Sequence, residues 1–546
     1  MLRTGEYISA SEAKPKPPFA QRQVTLSFQD YIQLEAEKNY WHGQFQHAQA
    51  KINKLNSRIA DLEAQVADLT HRLYGNHSEK GQTSSEAKIP PREKKKRGHQ
   101  AGTPRFPCVP KPDLPVIEEH RMLPQAGRVC PCCGLPYHEI NNTEDAEVLE
   151  IEVKAHKRVI HRHKYVKICQ CEGGKAVITA PPPLRLFNRN LYGISIWTEV
   201  LLEKFHYNRS LHSVCKDFAQ RGLSLSAGTL TNGFKRMPDL FAPVIQQFEA
   251  KQLSETLFYN DETYWKEYEL TESKRNTHWY LWLFRSQSVT LFIAADNRSG
   301  DTPIEYYQKL TALGYVIVVC DRYSAYKRLA RQNPRIILAF CWAHVRRDFL
   351  DYARSYPALR DWMQHWVDQI ANLYHSNHQR LSHWNPAVPL AAQSVAFNGQ
   401  QTVLEQAIVQ VKTDYTQALL ELDPKTQKIQ IAVLTSLQTH WNGLTVFVTN
   451  PVIPMDNNLS ERTIRGAVLG RNNYFGSGAI WSAELAAQIF SIFATLQQWG
   501  INRQRWLYEY LTVCAQNHCE PPDNLTDFIP WLMSDERRAA LSRLLE

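Results

Sequence analysis

The chain has 546 residues, too many for one compact core, so about three to five units are expected, one of them large enough for a catalytic domain. Lysine and arginine number 63 against 54 aspartates and glutamates, a net charge of +9. No run of about eighteen uncharged apolar residues occurs and Met1 is not followed by a basic, apolar, small-residue export pattern, so a soluble, intracellular protein is expected rather than a peptide hormone or a small stapled fold.

Residues 1–25 are rich in proline, lysine and small polar residues and read as a disordered tail. From Trp41 the apolar residues fall at Trp41, Phe45, Ala48, Ile52, Leu55, Ile59, Leu62, Val66, Leu69 and Leu73, alternating steps of four and three. With β-branched residues favoured at a and leucine at d, this seam predicts a coiled coil over 26–80 and a parallel homodimer. A helix docking its stripe on its own domain is the competing reading, and the polar, basic linker that follows at 81–106 argues against it. That linker carries PPREKKKRGHQ (90–100), and a second basic block, KAHKRVIHRHKYVK, covers 154–167. Two such blocks flanking a cysteine cluster point to nucleic acid rather than to a merely solvated surface, with Lys94, Lys95, Lys96 and Arg97 as candidate DNA contacts.

The chain holds eleven cysteines, which without an export signal read as metal ligands or buried thiols. Cys130 and Cys133, spaced C-x-x-C, with Cys169 and Cys171 about forty residues on, would close a tetrahedral zinc site in a module over 107–183. The second pair is a tight C-x-C, and His163 or Cys132 could replace one ligand; coincidental thiols are the plain alternative. Residues 184–250 read as helical. Within them RSLHSVCKDFAQRGLSLSAGTLTNGFKRM (209–237) gives a helix, a turn at Arg221–Gly222 and a second helix begun by Ser226. This is the outline of a helix-turn-helix, although an ordinary helical hairpin fits the same spacing.

After residue 250 apolar, β-branched runs take over. ETLFYNDETYW ends a strand at Asp261; THWYLWLFRS and SVTLFIAADNRSG are two more strands of a meander; GYVIVVCDRYSAYKRLA is a buried strand ending at Asp321 and entering a helix; PRIILAFCWAHVRRDFLDYA repeats strand and helix. Three antiparallel strands followed by β-α-β-α describe a ribonuclease H-like core over 251–500, with a polar helical insertion at 350–440 and a helical segment at 501–546. The fold class expected is therefore multidomain α/β. Asp261 and Asp321 would end strands one and four, which are neighbours in that order.

Taken singly, Asp261 could open a turn and Asp321 could cap the helix after its strand. Taken together, two carboxylates converging beside apolar strands suit Mg²⁺ or Mn²⁺, and two such cations about 3.5–4 Å apart can hold a phosphodiester. That chemistry calls for a third carboxylate from a helix beside the first strand. PMDNNLSERTIRGAVLGRNNYFG (454–476), which follows the strand-like GLTVFVT, offers Glu461. Asn458 with Glu461 fits a capping box, and Glu461 with Arg465 an i,i+4 pair. Neither explains why Arg462, Arg465 and Arg471 cluster there with an aromatic pair, a set suited to phosphate contacts. His344 and Arg346 could line the same site, with Cys341 and Trp342 in the core; Cys320 and Cys341 read as buried thiols.

The words LYGNHSEK (73–80), RGHQAG (97–102), CPCCG (130–134), DETYW (261–265), DRYSAYK (321–327), CWAHVRRDF (341–349), DNNLSERTIR (456–465), GRNNYFGS (470–477) and FIPW (528–531) together resemble the bacterial insertion sequence 66 family of DDE transposases. The resemblance covers nearly the whole chain. It implies that Asp261 and Asp321 are the catalytic aspartates, that Glu461 is the catalytic glutamate, and that all three hold Mg²⁺ or Mn²⁺. It also implies a helical insertion and a structural Zn²⁺ on Cys130 and Cys133. The C-x-C at Cys169 and Cys171 departs from the family's commoner second knuckle, and GRNNYFG departs from its GRKNW at Asn472 and Tyr474. The activity implied is cleavage at the element's ends and joining of the freed 3′-OH to target DNA, by a homodimer or larger assembly, with accessory transposition proteins possible, in the cytoplasm at the nucleoid. The rival readings are a catalytically silent DNA-binding regulator and a ribonuclease H-like nuclease. If Glu461 were only a cap, Asp456 or Glu484 would be the next candidate for the third acid.

Overall fold

The computed structural model describes residues 27–74, 132–133, 135, 155–166, 168, 177–187, 190–269 and 278–542. The expected tail (1–25), the linker (81–106) with Lys94, Lys95, Lys96 and Arg97, and the zinc candidates Cys130, Cys169 and Cys171 lie outside the described residues; Cys133 sits beside Cys132 in an exposed turn.

The heptad segment is one helix, α1 (Phe28–Tyr74), and its seam residues Trp41, Phe45, Ile52, Leu55, Ile59 and Val66 are all exposed. Two short strands, β1 (Lys164–Val166) and β2 (Val177–Thr179), pair antiparallel. Four helices follow: α2 (Ile194–Phe205), α3 (Leu211–Gln220), α4 (Ala227–Phe234) and α5 (Met237–Gln252). Ser210 caps α3 by accepting the Ser213 N–H, and Ser226 caps α4 by accepting that of Thr229. The turn between them passes through Gly222 at φ +81°, a conformation that glycine adopts without strain.

The central sheet contains β3 (Leu257–Lys266), β4 (His278–Arg285), β5 (Thr290–Ala295), β6 (Val316–Cys320) and β7 (Ile336–Phe340), in the order β5-β4-β3-β6-β7. The first three are an antiparallel meander, and β6 and β7 add parallel to β3. Helix α6 (Asp301–Gln308) precedes β6, α7 (Ser324–Gln332) joins β6 to β7, and α8 (Trp342–Ser355) leaves β7. The first strand of the sheet extends further than its sequence suggests. Asp261 does not end its strand: β3 runs on to Lys266 because its pairing with β4 continues through Lys266↔His278. What stops near Asp261 is the parallel pairing with β6, whose last pair is Tyr259↔Val319.

The polar stretch after α8 folds as α9 (Arg360–Ser382), α10 (Val395–Glu421) and α11 (Lys428–Leu444). The strand-like GLTVFVT is a second correction, because it contains a helical turn, α12 (Val446–Thr449). Its carbonyls at Phe447 and Val448 accept from the fully buried guanidinium of Arg380 on α9 (3.1 and 2.8 Å), so they need no sheet partner. Then come α13 (Asn458–Tyr474), α14 (Ile480–Gln498), α15 (Arg503–Gln516) and α16 (Asp535–Ser542).

Helix α14 closes the open edge of the sheet. Ser491 Oγ accepts the Phe292 N–H of β5 (2.7 Å), and Thr495 Oγ1 accepts the Thr290 N–H (3.0 Å) while donating to the Thr290 carbonyl (3.1 Å). The edge strand is thereby satisfied by side chains. Among the described residues no helix is long and apolar enough to cross a membrane.

Candidate active site

Asp261 and Asp321 reach the same level of the sheet from adjacent parallel strands, each two residues beyond the last paired positions, Tyr259 and Val319. Asp261 Oδ1 accepts the Glu262 N–H (2.9 Å), and Asp321 Oδ1 accepts the Tyr323 N–H (2.9 Å) in a turn just ahead of α7. Helix α7 itself is capped at Tyr323, so Asp321 shapes the entry to the helix without being its N-cap. Burial drives the Asp261 carboxyl well above the ordinary carboxylate range, and the charges of Glu262, Asp321 and Glu461 push it the same way. Asp321 is also raised by burial, opposed by the Tyr323 N–H and by Arg298, Arg322 and Lys327.

The fourth acid of this group, Glu262, is absent from the sequence reading. Strand alternation sends it to the opposite face from Asp261. There Oε1 accepts from Arg298 Nε and Nη2 (3.0 and 2.5 Å) and Oε2 from the Tyr326 hydroxyl (2.7 Å). Its side chain is 3% exposed, and burial together with Asp321 raises its carboxyl. A second carboxylate beside the first in DETYW was the available signal.

Glu461 lies in the first turn of α13. The expected capping box is not how that turn is closed: Asn458 is already helical, the N-cap is Asn457, and the Asn458 N–H is held by Asp456 Oδ1 (3.1 Å). Asp456 therefore serves the helix start, and Glu484 is exposed on α14. Glu461 faces α8, with His344 Nε2 3.5 Å from Oε1 and Arg347 Nη2 3.7 Å from Oε2. Arg347, one residue on from the expected Arg346, is the basic residue the sequence reading missed. Burial, with the charges of Arg347 and Arg322, depresses the His344 imidazole to about 4, so it is neutral at physiological pH. Cys320, Cys341 and Trp342 are buried, and burial lifts the Cys341 thiol to about 12.

Of the candidate phosphate contacts, Arg462 and Arg465 are exposed on α13. Arg471 turns inward, donating to Thr263 Oγ1 (3.2 Å) and the Tyr264 carbonyl (2.8 Å), and so ties the last turn of α13 to β3. Among the described residues no three His, Cys, Asp or Glu side chains are already drawn into a metal cage. Glu262, Asp321 and Glu461 all act on the charge of Asp261.

A mixed sheet with acids on two neighbouring strands, and a third acid on a helix close enough for its charge to act on the first, defines a mixed α/β protein with an acidic cluster beside its central strands. The Transposase IS66 family model matches residues 189–485, from just before α2 into α14, and the chain belongs to that family. It is similar to two uncharacterized proteins of Sinorhizobium fredii. One, y4jD, is 26% identical over 88% of this chain and 96% of its own length; the other, y4hP, is 22% identical over 78% of this chain and 76% of its own.

Proposed function

We propose that the protein is a DNA transposase that binds the ends of its insertion sequence, cuts DNA strands by metal-assisted hydrolysis and joins the freed 3′-OH ends to target DNA. The observation that carries this reading is the shared field of Asp261, Asp321 and Glu461, which come from β3, from the end of β6 and from α13. Partly buried like charges cost free energy that an oxygen-preferring divalent cation offsets, so the donor chemistry fits Mg²⁺ or Mn²⁺. Asp261, Asp321 and Glu461 are the residues that would hold it. When bound, such cations activate an attacking oxygen and stabilise a leaving one.

In this reading the sheet and its helices are a ribonuclease H-like core with α9–α11 as its insertion. Asp261 and Asp321 would be the ligands supplied by the sheet, and Glu461, which faces His344 and Arg347 of α8, would be the ligand supplied by α13. Arg462 and Arg465 bind the DNA backbone, joined by Lys94, Lys95, Lys96 and Arg97, while α3 and α4 dock on the element's ends. Cys130, Cys133, Cys169 and Cys171 hold a structural Zn²⁺. The exposed seam residues of α1, Trp41, Phe45, Ile52, Leu55, Ile59 and Val66, pair with a second copy, forming a homodimer or larger assembly. The protein acts in the cytoplasm at the nucleoid.

The test is cleavage and strand transfer on oligonucleotides carrying the terminal inverted repeats, with Mg²⁺, by wild type and by Asp261→Asn, Asp321→Asn and Glu461→Gln. Wild-type cutting and joining, lost in all three variants, is the expected result. Binding without cutting would instead identify a DNA-binding regulator, and cutting without joining a nuclease. Full activity of Glu461→Gln would remove Glu461 from the reaction.

A further inference from the structure

One chain of buried hydrogen bonds ends beside each of the three acids. The backbone N–H of Cys341 donates to the carbonyl of Cys320, the residue before Asp321 (3.1 Å). Cys341 Sγ accepts the backbone N–H of Asn457 (3.2 Å). Asn457 Nδ2 donates to the carbonyl of Asn260, the residue before Asp261 (2.7 Å). Asn457 Oδ1 accepts from the hydroxyl of Ser460, the residue before Glu461 (2.8 Å).

Asn457 is 1% exposed, and Cys341 and Ser460 are fully buried. An asparagine at an N-cap ordinarily turns its side chain onto a backbone N–H of its own helix. Asn457 makes no such bond, and instead sends its amide across to β3. A side chain that donates to one element and accepts from another fixes their separation in a way that an apolar residue of the same volume does not. The Cys341 thiol adds the third tie, since the backbone of the same residue is bonded to the end of β6.

We infer that Asn457, with Cys341, is a positioning residue that sets the spacing of Asp261, Asp321 and Glu461. The inference rests on the proposed reading of these acids as a divalent-cation centre. Groups that orient ligands in this way typically change metal affinity by about 10–100-fold when replaced.

The experiment is Mn²⁺ binding to the full chain without DNA, followed by the loss of the free-ion signal in electron paramagnetic resonance, with melting in EDTA recorded for every variant. Wild type is expected to bind, Asp261→Asn to lose that binding, and Asn457→Asp to weaken it about tenfold or more. Cys341→Ala, which removes a single weak acceptor, should weaken it less. The double variant should bind no more weakly than Asn457→Asp alone, because both lesions break one chain; independent structural damage would add. Should Asn457→Asp fail to fold, Cys341→Ala decides.

Wild-type affinity in both variants, with binding lost in Asp261→Asn, overturns the positioning role and leaves the cation centre standing. A wild type without Asp261-dependent Mn²⁺ binding overturns both. Weakened binding in the variants of a protein that never cuts DNA upholds the positioning role and removes only the reaction.

Discussion

Replacing Arg298 by alanine tests the electrostatics of the cleft most directly. Its guanidinium gives Glu262 two hydrogen bonds and lies 4.1 Å from the Tyr323 ring centroid, and the arginine side chain is 44% exposed while the carboxylate is 3% exposed. A charge-assisted hydrogen bond is worth about 1.5–3 kcal/mol, which solvent at the exposed arginine reduces to about 1–2 kcal/mol. The cation–π contact adds about 0.5–1 kcal/mol. A loss of about 1.5–3 kcal/mol at pH 8 follows. The loss should shrink on acidification. Without Arg298 the Glu262 carboxyl rises further above its unfolded value, so the folded variant binds more protons than the unfolded chain in the interval between the two. Stability in that interval falls as pH rises, so the deficit is full above the raised value and diminishes as pH falls through it. Urea unfolding in EDTA at pH 8 and pH 5.5, wild type against Arg298→Ala, measures both effects. A gap under about 0.5 kcal/mol at pH 8, or a gap equal at the two pH values, would refute the assignment of Arg298 as the counter-ion that makes Glu262 tolerable.

Thr495→Val should expose the β5 amides to hydrogen exchange and cost more than Ser491→Ala, since it orphans both the N–H and the carbonyl of Thr290, at about 1–3 kcal/mol each, where Ser491→Ala orphans one N–H; equal effects would argue against α14 as the edge cover. Gly476→Ala combines a φ of +112° with a Cβ 2.1 Å from the Lys266 carbonyl oxygen, so a loss of about 3 kcal/mol or more is expected in urea unfolding, and a near-neutral result would contradict this turn. Asp261→Asn should raise the melting temperature in EDTA while abolishing cleavage. The wild-type carboxyl is raised in the fold, so the stability it confers falls as pH rises above its unfolded value, and the gain should be larger at pH 8 than at pH 5. Arg462→Ala and Arg465→Ala should each flatten the salt dependence of DNA binding by about one unit of slope, whereas the inward-turned Arg471 should act on melting temperature instead.

The strands were readable because each contains a short apolar run rich in β-branched or aromatic residues, and at β6 that run is closed by Asp321. The extent of β3 was not readable in DETYWK, because its length is set by how far β4 pairs with it. VFVT has the composition of a strand, yet the group that satisfies its carbonyls is an arginine 67 and 68 positions away in sequence. The start of α13 shows the same limit: Asn457 and Asn458 are equally good caps locally, and the bond to Asn260 that distinguishes them joins positions 197 apart. Glu461 had two local explanations, a capping box and a pair with Arg465. The groups facing it, His344 and Arg347, come from another helix and are neighbours only in space.

That difference between the acids bears on how the cleft could work. Asp261 is paired with Leu283 of β4, Asp321 follows directly on the last pair of β6 with β7, and each accepts a backbone N–H from within two residues. Glu461 is set at a helix start, opposite a neutral imidazole and an arginine at 3.5 and 3.7 Å, distances long enough for contacts weaker than a formed hydrogen bond. Two acids are thus placed by the sheet, and the third by a helix start that faces α8. If these acids hold a cation as proposed, Asp261 and Asp321 would be the ligands supplied by the sheet and Glu461 the one supplied by a separate helix. The spacing of α13 from β3, which Asn457 spans, would then set where Glu461 stands relative to the other two.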